Sequence, residues 1–198
     1  MEKNARRNLL EYGQRLEYVT LGWNVVGVGV LAMAAYGARS VALAGFGLDS
    51  LVEIGASTVV LWELRGDDAV RTRRALGLIA SAFVVLAIYL VLQGVVVLVD
   101  RYHAGHSDVG LAWTGLTVLV MGYLARAKSR TGRALGNDVL VGEGRVTLVD
   151  AILAAAVFVG VALNAAFGWW WADPAAGFVL AVYAVRECRA IAGARGAH

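Results

Sequence analysis

Residues 41–62 read VALAGFGLDSLVEIGASTVVLW, an apolar run with two acids, Asp49 and Glu53, near its middle. A helix crosses the hydrocarbon core of a bilayer in about 20 residues, so the stretch is long enough to span. The i, i+4 spacing stacks both carboxyls on one helix face, about 6 Å apart along the axis. An ionised group at that depth costs several kcal/mol unless it is neutralised, paired or hydrated. Two explanations fit. The pair holds a cation between arms on consecutive turns, or both acids are protonated or paired with a base. Division of the chain by hydropathy leaves no Lys or Arg at comparable depth in any span, so an ion pair lacks a partner. The cation site is therefore the favoured reading.

The rest of the chain supports a membrane setting. Of its 198 residues, 59% are hydrophobic and 17% charged, and the mean hydropathy is +0.65. Soluble domains carry about 25% charged residues. Apolar runs mark six spans at 18–36, 41–62, 75–99, 109–125, 146–167 and 174–185. The first run is too long for the apolar region of a signal peptide. Lys and Arg test the division. Sixteen of the 18 fall before span one, between spans two and three, between spans four and five, or after span six. Only Arg39 and Arg101 lie on the other side. The positive-inside rule therefore predicts an all-α membrane protein of six transmembrane helices with both termini cytoplasmic. Residues 1–17 form a cytoplasmic amphipathic segment, with Leu9, Leu10 and Leu16 beside Arg6, Arg7 and Arg15; residues 18–188 form the transmembrane domain and 189–198 a short cytoplasmic tail. The basic balance is explained by topology, so no nucleic-acid partner is expected; the partner is the lipid bilayer. Trp62, Trp113 and Trp169–Trp171 fall near span ends, as interfacial rings prefer. The excess of Arg over Lys, with abundant Ala, Gly and Val, matches a high-GC bacterial genome, and the expected location is the plasma membrane.

Span five is entered through NDVLVGEGRVTLVDAILAAAV, residues 137–157. At 1.5 Å per residue, Glu53 is about 20 Å deep from Ser40 and Asp150 about 21 Å deep from Asn164. Asp49, Glu53 and Asp150 can therefore meet at one level. Glu143, about 10 Å from Asp150 along a helix, is too far to share the ion. It is placed in an inner vestibule, with Arg145 to neutralise it.

The motif LDSLVEIGAS at 48–57 resembles the second helix of the cation diffusion facilitator family of divalent-metal transporters, which has D-x-x-x-D there. GEGRVTLVD at 142–150, followed by Asp173-Pro174, is similar to that family's fifth helix and the start of its sixth. The resemblance implies that spans two and five face each other and bind a divalent cation, usually Zn, for exchange with protons. It makes Asp49, Glu53 and Asp150 metal ligands. The family's H-x-x-x-D places Val146 at the histidine position, and a valine does not ligate. The fourth position then falls to Thr147, to water or to nothing. Only 13 residues follow Val185, so the cytoplasmic domain of many members is expected to be absent. A homodimer would then be held by transmembrane helices, through the small apolar surface of span three at Ala80, Ala82 and Ala87.

Three carboxylates without imidazole or thiolate make a hard, oxygen-rich site suited to Mn, Mg or Fe(II), though Zn also accepts carboxylates and water. Metal binding to such a site releases protons, a physical basis for exchange. His103 and His106 in the loop after span three are a weaker candidate pair. Asn24 and Gln93 are expected to hydrogen-bond between helices, and Gly27, Gly29, Gly45 and Gly47 to permit close helix approach. Cys188, the single cysteine, excludes an internal disulfide. No phosphate loop, nucleophile–base pair or redox motif is present, so neither an enzyme nor a bound cofactor is expected. Two functions remain: a proton-coupled exporter of a divalent cation, or a non-transporting relative that binds metal or a partner protein.

Overall fold

The computed structural model describes residues 2–38, 41–64, 69–100 and 107–171, together with 175, 178, 181, 182, 185, 186 and 188–190. Five helices are defined among them: α1 (Glu2–Ala38), α2 (Val41–Glu63), α3 (Ala69–Asp100), α4 (Asp108–Leu135) and α5 (Asp138–Phe167). All five are long and apolar enough to cross a membrane. The described residues between 175 and 190 are helical as well, and the Phe178 ring packs on Gly94 of α3. The protein is an all-α membrane protein. Arg39, Arg101, His103, His106, Asp173 and Pro174 lie outside the described residues.

Four helices run well past their apolar segments; one of them, α5, begins at Asp138, before the apolar run from Val146. α1 begins at Glu2 and continues through the first span without a break, so the amphipathic segment and span one are one helix. α3 begins at Ala69, before the apolar run from Ala75. α4 continues from the apolar run into the basic stretch and stops only at Leu135. Its end is set by local chemistry rather than hydropathy. Gly136 takes the left-handed conformation (φ 65°), and the Asn137 side chain accepts the Leu140 N–H at 2.7 Å to start α5. Asn137 also donates to both carboxylate oxygens of Glu63, tying the end of α2 to this turn.

The two-residue connection makes α4 and α5 an antiparallel hairpin, the most extensive helix pair in the bundle. Gly144 lets their backbones meet. A Cβ there would lie 2.9 Å from the Ser129 nitrogen and 3.1 Å from the Ala125 oxygen. α1 packs on α2 and α4, and α2 in turn on α3 and α5. Among the span-one and span-two glycines, Gly45 sits directly beneath Tyr89 and Gln93 of α3, whereas Gly29 faces open space. Asn24 donates to the Thr20 carbonyl of its own helix, an intrahelical bond where an interhelical one was expected. Trp113 stacks on Trp23 at 4.7 Å and is half-buried, so its ring serves α1–α4 packing.

Apolar side chains cover the outside, among them Val25, Val26, Val84, Val85, Ile88, Leu92 and Leu119. In water such a surface would be untenable; against lipid it needs no cover, and helix association rests on packing and polar contacts. Of the alanines expected on a dimer face of span three, Ala87 is buried within the chain, which leaves Ala80 and Ala82 half-buried.

Candidate metal centre

On α2 the residues turned inward are Leu43, Phe46, Asp49, Ser50, Glu53, Ala56, Ser57 and Val60, a stripe at three- and four-residue spacing. Both acids fall on it because four residues nearly complete a helical turn. α5 runs antiparallel to α2, so that 57, 53 and 49 of one meet 143, 147 and 150 of the other. Asp49, Glu53, Thr147 and Asp150 are all buried. The four sequence-predicted ligands thus share one interior.

They form two contacts, not one cluster. The Asp49 and Asp150 carboxyls lie close enough to interact with each other. Two carboxyls that close need a shared positive partner, a proton or a metal ion. Oδ2 of Asp49 and both oxygens of Asp150 are buried with no donor among the described residues. Buried oxygens of this kind are rare, and an ion or a water is among the partners that satisfy them. Glu53 is turned one layer away, where its Oε1 accepts the Thr147 hydroxyl at 2.8 Å. Among the described residues, no three acid, histidine or cysteine side chains converge on a single point.

Beyond Glu53 lies a cluster that the sequence reading did not contain. Lys128 of α4 is fully buried, and its ammonium is 3.0 Å from Glu17 Oε2 of α1. It donates to Glu143 Oε1 and to Thr147 Oγ1, both at 3.0 Å. Ser57 donates to the same Glu143 oxygen at 3.2 Å. Three expectations are corrected here. A lysine does occur at depth, because α4 outlasts its apolar segment and Lys128 falls on the buried stripe of Met121, Leu124, Ala125 and Thr131. Glu143 is fully buried instead of lining a vestibule. Its neutralising partner is Lys128, since Arg145, two residues on, is rotated about 200° around the helix and is exposed.

Thr147 is therefore committed on two sides, giving its hydrogen to Glu53 and a lone pair to Lys128. Val146 is buried among apolar side chains in the main core. From the turn at Asn137 outward, the interior reads Glu143, Ser57, Lys128 and Glu17, then Thr147 and Glu53, then Asp150 and Asp49. It is one column of buried charged and hydroxyl groups through the described part of the bundle. Five carboxyls against a single ammonium make it strongly cation-seeking.

Residues 75–192 match the family model of the cation efflux transmembrane domain. The match covers most of α3, all of α4 and α5, and the sixth helical stretch, and so takes in Lys128, Glu143, Thr147 and Asp150; Asp49 and Glu53 precede it. No curated protein matches the chain.

Proposed function

The chain belongs to the cation efflux family, and from that premise we propose that it exports a divalent metal cation in exchange for protons, with Asp49, Asp150 and Glu53 as the ligands. The observation that carries the reading is the juxtaposition of Asp49 and Asp150, with three buried oxygens that have no donor among the described residues. A metal ion replaces the positive partner those carboxyls require, and its arrival expels a proton by charge balance alone. Glu53 completes the set by rotating away from Thr147. Thr147 then either follows it as the fourth ligand or stays on Lys128 while water takes the place. Oxygen donors favour Mn, Mg or Fe(II) over softer ions, with Zn accepted. The positive-inside count supports cytoplasmic termini, and the composition supports a bacterial plasma membrane.

Flux into proteoliposomes tests the proposal. An acidic lumen is expected to drive Zn, Mn or Fe(II) inward, and a protonophore to stop it. No flux for any of Zn, Mn, Fe, Co, Cd or Mg would leave a binder that does not transport.

Val146→His tests the ligand set from the opposite direction. At 100° per residue Val146 lies about 40° from Asp150 around α5, and Thr147 about 60° to the other side. An imidazole at 146 is thus presented to the Asp150 side of the helix. The Zn-over-Mn preference, read by calorimetry, is expected to rise about tenfold, equivalent to about 1.4 kcal/mol. Equal losses for both metals would mean that position 146 does not reach the ion.

A further inference from the structure

Glu17, Glu143 and Thr147 come from α1 and α5, and each places an oxygen 3.0 Å from one point, the nitrogen of Lys128. Glu17, Lys128, Glu143 and Thr147 are all fully buried. The ammonium donates to Glu143 and Thr147 and is ion-paired with Glu17 Oε2, which accepts no hydrogen bond among the described residues. Two others, Glu17 Oε1 and Glu143 Oε2, are buried with no hydrogen-bond partner among the described residues. The occupant is also short of charge, one positive against two carboxylates. A divalent ion would supply both the missing charge and a use for the two idle oxygens.

We propose that Glu17, Glu143 and Thr147 form a second, inner cation site, separate from the Asp49–Asp150 pair, whose resident occupant is the tethered ammonium of Lys128. The site takes a hard divalent cation such as Mn when the ammonium is removed. With the ammonium in place, the polar column holds one mobile metal ion rather than two. A fixed positive charge then stands between the basic end of the bundle and Asp49–Asp150, and an ion crossing from that end must displace it. Oxygen donors without nitrogen or sulfur define the ligand class. The role in transport rests on the function proposed above; the existence of the inner site does not.

Counting Mn ions bound per chain tests this, using equilibrium dialysis of the full chain in detergent. Lys128→Met keeps the length of the side chain and removes its charge. It is expected to bind one more Mn than the wild type, and adding Glu17→Gln is expected to abolish that gain. The same gain is expected when wild type and Lys128→Met are compared in an Asp49→Asn, Asp150→Asn background. The readout is thus a difference, independent of whether the outer pair binds metal. Equal counts with and without Lys128 overturn the inner site. If Lys128→Met does not fold without metal, recovery of the folded chain in Mn supports the proposal. A chain that stays unfolded in Mn overturns it, because the ion would have restored the lost charge.

Discussion

Asp49→Asn and Asp150→Asn are each expected to weaken divalent-metal binding at least tenfold, equivalent to about 1.4 kcal/mol or more. Their two carboxyls are neighbours in one layer, so each supplies half of the negative charge there. Asparagine preserves size and one oxygen but brings an N–H₂ group, which satisfies the facing carboxyl by donating to it. The variant therefore removes a ligand and also occupies its neighbour. Little structural penalty accompanies the change, because an amide–carboxylate contact replaces a contact that needed a proton or metal. Glu53→Gln is expected to cost less, since Glu53 rests on Thr147 and joins only by rotation. Calorimetry across the three variants checks the ordering. Wild-type affinity in both aspartate variants would rule out the outer site and leave the paired carboxyls without a role.

Much of this interior was legible from spacing alone. Asp49 and Glu53 are visible because acids in an apolar run of spanning length stand out, and i, i+4 fixes their shared face. Asp150 reaches the same level by counting inward from the far end of its span. Lys128 and Glu17 were hidden by the criterion that exposed the others. Hydropathy ends span four at Ala125, and Lys128 then reads as one charge in a basic loop of Arg126, Arg130 and Arg133. What ends α4 is the Gly136-Asn137 pair, whose turn and capping chemistry begins eleven residues later. Once the helix is carried that far, Met121, Leu124, Ala125, Lys128 and Thr131 form one stripe, and the three arginines fall outside it. Glu17 is similar: it shares a stripe with Gly13, Leu16, Thr20 and Asn24 on a helix that begins at Glu2. The pairing of Lys128 with Glu17 is a different matter. It joins residues 111 positions apart on α1 and α4, and no local pattern encodes which buried acid a buried base will find. The same limit applies to Thr147, which the family resemblance offered, beside water or nothing, for the fourth ligand position and which the fold uses as the link between Glu53 and Lys128.

Glu17→Gln with Glu143→Gln is expected to destabilise the protein by about 3–5 kcal/mol, the scale set by stripping a buried charge of its partners. Lys128 would keep neutral oxygens around its ammonium but lose both negative charges, far from water. Adding Lys128→Met to that pair should return stability to the wild-type level or above it, because an ion-pair network exchanged as a whole for neutral groups of similar size is often neutral or stabilising. The three substitutions are thus expected to be strongly non-additive, with the third rescuing the first two. Unfolding in detergent, followed by helicity against denaturant, measures each variant. A purely structural polar cluster without charge coupling predicts the opposite sign, with Lys128→Met adding its own loss to theirs. If the triple variant is less stable than the double, the ammonium is not neutralised by Glu17 and Glu143, and the column is held together by hydrogen bonds alone. Rescue would establish that three helices, α1, α4 and α5, are joined inside the bundle by one charge-balanced group. The bundle would then depend on that group for stability and on the Asp49–Asp150 pair, two helical turns away, for its cargo.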